Sequence, residues 1–267
     1  MTRLGRRTVL LGAAGGVVAV GTGGVLVEEG VLPGRARAYG LLGLNGKDVA
    51  IPDVRPGPRV DGSFVSQRRG GIRTGWSFTS PPGVDRFLAQ AVGSGVQPFA
   101  VASVDGGSSS YWHPRTDGSD ASAMVVDELV PLVRDRFGLS TALGLYGWSM
   151  GGYGALRLAL RAQGINAVAA TSPALFASYA DAAPGAFDSR AQFDEENLVT
   201  RAPGFPATPM RVDCGKVDPF HAQVRAFVGR LPRRPAGGFE PGAHTYGYMR
   251  RMLPAQLAFL GRSLGAS

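Results

Sequence analysis

The chain has 267 residues, 44% hydrophobic and 18% charged, a balance that suits a globular protein with a sizeable core and excludes disorder over most of the length. Lys and Arg number 28 against 20 Asp and Glu, a formal net charge of +8, but only Lys47 and Lys216 are lysines and no basic run alternates with aromatics, so a solvated surface and no nucleic-acid partner are expected. The single cysteine, Cys214, excludes an intrachain disulfide or a multi-Cys zinc site, and the dispersed His113, His221 and His244 form no HExxH pair, so no metal or other cofactor is expected.

Arg3, Arg6 and Arg7 precede an uncharged run, residues 8–27, which ends at Glu28 and Glu29. The run is long enough to cross a bilayer, but its glycines keep it only weakly hydrophobic. Arg6-Arg7-Thr8-Val9-Leu10 resembles a twin-arginine signal, and Ala36-Arg37-Ala38 offers an A-x-A cleavage site. Residues 1–38 are therefore expected to be an export signal or, if retained, an anchor that meets the membrane through residues 8–27. The rest of the chain is then extracellular or in the cell envelope.

Residues 39–58, rich in Gly and Pro, read as an irregular lead-in, and residues 59–267 as the folded domain. Residues 59–67 and 72–79 alternate and predict a hairpin. A helix is expected over 84–91, and an apolar strand over 98–104 that runs into a loop at 105–120. A helix over 122–137, kinked at Pro131, is followed by a strand at 142–146 and a helix at 152–161. A strand at 167–170 leads into an irregular stretch, 174–208, read as a lid or insertion. Strands at 210–214 and 238–240 then alternate with helices at 220–228 and 248–263. Such alternation predicts an α/β domain with a mostly parallel sheet and helices on both faces.

Gly147-Trp148-Ser149-Met150-Gly151 matches G-x-S-x-G, a weak pattern by itself in a chain with 40 glycines. Its setting adds weight: an apolar strand ends at the motif and a Leu-rich helix begins after it. A serine on such a turn stands free above the sheet, with Gly147 and Gly151 expected to relieve crowding. The Met150 amide at the helix start can meet a developing oxyanion. A serine needs a base, and the base an orienting acid. In a strand-turn-helix architecture of this kind the chain order is Ser, acid, His. His244, in a loop between a short strand and the last helix, is favoured as base over His221, which opens a helix. Asp218, in a turn after the strand at 210–214, is favoured as acid over Asp213, which lies inside it.

The run from Gly147 to Leu156, GWSMGGYGAL, resembles the elbow of the esterase D-type "putative esterase" family of α/β-hydrolases. Asp213-Cys214-Gly215 through Asp218-Pro219-Phe220 is similar to that family's acid loop, and Gly242-Ala243-His244 to its histidine loop. The resemblance runs from about Val84 to the C-terminus. It implies an α/β-hydrolase fold, with Ser149 as nucleophile, Asp218 as acid and His244 as base. Tyr111-Trp112-His113-Pro114 is also similar to a family loop beside the site, with His113 expected to brace it. The family includes feruloyl esterases, S-formylglutathione hydrolases and secreted mycolyltransferases, and it implies a small-molecule or lipid ester as substrate.

One feature departs from the family pattern. No histidine here is followed by glycine, so the strand that ends in His-Gly and supplies the second oxyanion N–H is expected to be missing. A segment around residues 76–80 is the candidate replacement. Three functions follow: an exported serine esterase, an acyltransferase of mycolyltransferase type acting on envelope sugars, or a catalytically impaired envelope binding protein of the same fold.

Overall fold

The computed structural model describes residues 43–44, 46–78, 84–139 and 142–265. The expected export segment, residues 1–38, lies outside them. Strands β1 (Val60–Ser66) and β2 (Ile72–Phe78) form the expected antiparallel hairpin, in register from Val60 opposite Phe78 to Ser66 opposite Ile72. Its turn uses Gly70 and Gly71 at φ 65° and 81°, a region glycine enters without strain. The Glu128 carboxylate accepts from the Gln67 and Arg68 amides at 2.8 and 3.0 Å and fastens this turn to a helical run.

Helix α1 (Val84–Gly93) buries Val84, Phe87 and Leu88 on one face. Strand β3 (Ala102–Val104) is shorter than the expected 98–104 and pairs antiparallel with β2. Pro98 has no N–H for a ladder, and Phe99 and Val101 pack into apolar clusters instead. The next helix begins with a single turn, Ala121–Ala123, capped by the Asp120 carboxylate. A π-helical stretch, Met124–Leu129, then leads into α2 (Val130–Phe137). Pro131 cannot donate to the preceding turn, and the expected kink takes the form of this wider winding.

Strand β4 (Gly144–Trp148) runs into α3 (Met150–Arg161), and β5 (Ala167–Thr171) follows. All five β5 residues are buried, as a strand covered on both faces requires. After β5 come the short helices α4 (Arg190–Glu196) and α5 (Leu198–Arg201). Then follow β6 (Met210–Gly215), α6 (His221–Arg230), β7 (Ala236–Glu240) and α7 (Tyr246–Gly265). The order β4-β5-β6-β7 forms one parallel sheet. Leu145, Val168, Ala170, Val212 and Cys214 join the cluster of α3 and α6. Ala167 and Ala169 face the other way, against Leu260 of α7. The sheet is thus covered on both faces, as an α/β-hydrolase fold demands.

The hairpin strands stand apart from the parallel sheet: β1-β2-β3 is a separate antiparallel sheet, and no described strand bridges β3 and β4. The break falls where the strand carrying His-Gly was expected to be missing. The stretch 174–208, expected to be a lid or insertion, packs into the domain. Leu175, Phe176, Phe187, Phe193, Leu198 and Val199 are buried in the main core.

Candidate active site

Ser149 sits between β4 and α3 with φ 55° and ψ −123°, a conformation that costs a non-glycine residue on the order of 1–3 kcal/mol. Its neighbours hold it there. The Ser149 amide donates to the Thr171 carbonyl at 3.1 Å, and its carbonyl accepts from Tyr153 and Ala174 at 3.0 and 3.1 Å. The turn is tight: a Cβ on Gly147 would collide with the Gly151 carbonyl. On Gly151 it would meet nothing within 4 Å, so the crowding expected at both glycines exists only at Gly147.

His244 lies in the loop between β7 and α7, buried to 3% exposure. Its Nε2 is 2.9 Å from the Ser149 Oγ, and its Nδ1 is 2.9 Å from Asp218 Oδ2. With the Nδ1 proton directed at the carboxylate, Nε2 accepts from the serine hydroxyl, as a general base must. Trp148 stacks on the imidazole at 5.1 Å and 24°, and Phe220 meets it edge-on at 5.2 Å. Tyr246 continues the aromatic surface, its ring 4.8 Å from that of Trp148.

Asp218 lies in the turn after β6, its side chain fully buried. Its second oxygen accepts from the Phe220 amide at 2.9 Å, so the carboxylate is satisfied away from water. The acid and histidine loops are tied by backbone bonds, Lys216 N–H to the Glu240 carbonyl at 2.8 Å and Val217 N–H to that of Gly242 at 3.0 Å. Glycine is required at 215, where a Cβ would collide with the Gly242 carbonyl.

Met150 is the first residue of α3, so its N–H has no acceptor within the helix. The candidate replacement for the second donor, residues 76–80, lies only partly within the described residues. Trp76 is buried in the cluster of Leu129 and Val133, and residues 79–80 fall outside.

The residues set aside as base and acid have other partners. His221 Nδ1 is 3.0 Å from the Gly215 carbonyl, and its ring meets Phe239. Asp213 pairs with Arg211 at 2.8 and 2.9 Å and accepts from Gln256 at 2.9 Å. Burial pushes its carboxyl above the usual range, against the pull of Arg211. His113, fully buried, sits 2.8 Å from the Ala186 carbonyl and 3.0 Å from that of Pro114 and stacks on Phe187. It braces its loop.

The sequence reading missed what holds that loop against α3. Tyr111 and Trp112 both have positive φ, 43° and 55°, and the Trp112 ring lies against Gly154. The Trp112 carbonyl accepts from Arg157, 3.1 Å away, and from Ser122. Arg157 also forms a bidentate buried pair with Glu196, at 2.9 and 2.8 Å. Among the described residues, no group of three His, Cys, Asp or Glu side chains could hold a metal ion.

A profile of the family described as "Putative esterase" matches residues 83–228, more than half of the chain. A search of curated proteins finds no match. Solved structures with the same fold include a ferulic acid esterase, 16% identical with a TM-score of 0.67, the match covering 78% of this chain and 98% of that one. A substrate-bound fluorophosphonate-binding serine hydrolase from Staphylococcus aureus is 15% identical with a TM-score of 0.60, covering 78% and 99%. An S-formylglutathione hydrolase from the same organism is 15% identical with a TM-score of 0.57, covering 76% and 98%. At these identities the likeness establishes the fold.

Proposed function

This chain belongs to the "Putative esterase" family, and from that premise we propose that it is an exported serine esterase, hydrolysing carboxylic esters of small molecules or lipids through an acyl-Ser149 intermediate. The observation that carries the reading is the pair of 2.9 Å contacts linking Ser149, His244 and Asp218, with the serine held in its strained turn.

His244 Nε2 takes the hydroxyl proton as Ser149 Oγ bonds to the ester carbonyl carbon. The carbonyl electron pair moves onto oxygen, which the Met150 N–H meets at the start of α3. As the intermediate collapses, the C–O bond to the alcohol breaks and the imidazolium returns its proton to the leaving oxygen. Water then repeats the sequence on the acyl-serine, releasing the acid and restoring Ser149. Asp218 keeps the imidazole in the right tautomer and balances its transient charge. Export rests on the arginine pair, the weakly apolar run and the A-x-A site in residues 1–38.

A second reading, a binding protein with impaired turnover, has one observation in its favour. The break between β3 and β4 falls where the family's other oxyanion donor is carried. Losing one donor costs about 3 kcal/mol, a hundredfold or more in rate. Hydrolysis of p-nitrophenyl acetate and butyrate by the purified protein tests the proposal. Turnover that disappears in Ser149→Ala supports an esterase, ester binding without turnover supports the second reading, and acyl transfer to an added sugar would identify a transferase.

A further inference from the structure

Residues 39–58 read as an irregular lead-in, yet the part from Gly46 onward is fastened to the helix that follows the histidine loop. Arg251, in the second turn of α7, donates through Nη1 to the Lys47 carbonyl at 3.1 Å. Through Nη2 it donates to the carbonyl of Pro241, where the histidine loop begins. Its guanidinium lies 5.1 Å from the centre of the Tyr248 ring, and its Nε is 3.9 Å from the Glu240 carboxylate. Gly46, at φ 67°, packs so closely on this guanidinium that a Cβ there would collide with it.

The rest of the segment is held as well. The Asp48 carboxylate lies against Gly247 in the first turn of α7, where negative charge is favourable. Val49 packs with Val84, Phe87, Leu253 and Leu257, the cluster that also receives Tyr146 of β4. Arg86 of α1 reaches the Pro52 carbonyl at 3.5 Å and the Asp53 carboxylate at 3.7 Å.

We propose that Arg251 is a positioning residue for His244, and that residues 46–53 are a brace for the histidine loop, with Arg251 as the clamp between them. The inference rests on the reading of Ser149, His244 and Asp218 as the reacting unit. A planar guanidinium can bond two carbonyls at fixed angles, whereas a lysine ammonium is a flexible point charge. The clamp holds the start of a short loop in which His244 must stay within hydrogen-bond reach of two partners. Small displacements of such a group cost rate steeply.

The test compares the wild-type protein with Arg251→Lys, Arg251→Met, Val49→Ser and the double variant Arg251→Met/Val49→Ser. Rates on p-nitrophenyl acetate are expressed per serine labelled at completion by a fluorophosphonate, which removes misfolded molecules from the count. Both Arg251 variants are expected to lower kcat per labelled site about tenfold, with KM changed less than about twofold. Val49→Ser is expected to lower kcat in the same direction, and the double variant to be no slower than Arg251→Met, because both release one brace. Wild-type kcat per labelled site in both Arg251 variants, or losses that multiply in the double variant, would overturn the proposal. Failure of the underlying reading is distinct: the wild-type protein would then carry no label on Ser149.

Discussion

The amide of Ser149 donates to the carbonyl of Thr171 at 3.1 Å, so the end of β5 holds the strained serine at the end of β4. Ala174, three residues further on, returns the bond by donating to the Ser149 carbonyl. The elbow is therefore set by two adjacent strands, and its strain is sustained by backbone bonds that side-chain substitution cannot remove.

The two glycines of the motif are expected to respond differently. Gly147→Ala places a methyl group on the Gly151 carbonyl, and the forced backbone shift should cost about 1–3 kcal/mol together with most ester turnover. Gly151→Ala meets open space in the first turn of α3, and the helix should gain about 0.5–1 kcal/mol. Thermal melts of the two variants check the pair; equal melting temperatures would remove the steric argument.

The Arg157–Glu196 pair anchors the loop of Trp112 to α3. Both side chains are 7% exposed, and breaking such a pair from one side costs about 3–5 kcal/mol. Arg157→Met should unfold at correspondingly lower denaturant, and Arg157→Met/Glu196→Leu should recover part of the loss. Burial disfavours the Glu196 charge, but the bonds and charge of Arg157, together with the charge of Arg161, outweigh it and hold the carboxyl below its ordinary 4.5. A lowered folded value means that the contribution is fully present above about pH 4.5 and fades as pH falls through the folded value. Denaturant titrations from pH 7 to pH 3 should show that loss, and Glu196→Gln should lack this part of it.

The choice of acid has a direct test. Asp218→Asn removes the group that orients His244, and ester turnover should fall about a thousandfold or more. Asp213→Asn keeps a partner for Gln256 on the face of α7, and kcat should stay within about threefold of wild type. The reverse ranking in steady-state kinetics would reassign the acid.

Alternating strands and helices were readable because each element carries its own local signal: β5 is a continuous small apolar run, and α3 follows a motif tied to one kind of turn. The grouping of Ser149, Asp218 and His244 was readable because an α/β-hydrolase fold places serine, acid and histidine on successive strand-end loops in that chain order. Arg157 and Glu196 were not, because partners 39 residues apart leave no local pattern. Helices α4 and α5, of seven and four residues, are too short for a helical period to emerge. In the structure Ser189 caps the first, accepting from Gln192, and Asn197 the second, accepting from Val199. The split of the sheet could be foreseen only as a missing His-Gly.

Export can be tested apart from chemistry. Replacing Arg6 and Arg7 by Lys should retain a fused reporter in the cytoplasm if residues 1–38 are a twin-arginine signal. Unchanged export would reject that assignment, and cytoplasmic location of the wild-type fusion would reject export itself.

Covalent labelling of the wild-type protein with a fluorophosphonate, followed by mass spectrometry of the peptides, tests the central claim most directly. The account predicts one adduct, on Ser149, and labelling slowed about a thousandfold in His244→Ala, because the hydroxyl then has no base. An adduct on another residue, no adduct at all, or equally fast labelling in His244→Ala would contradict it.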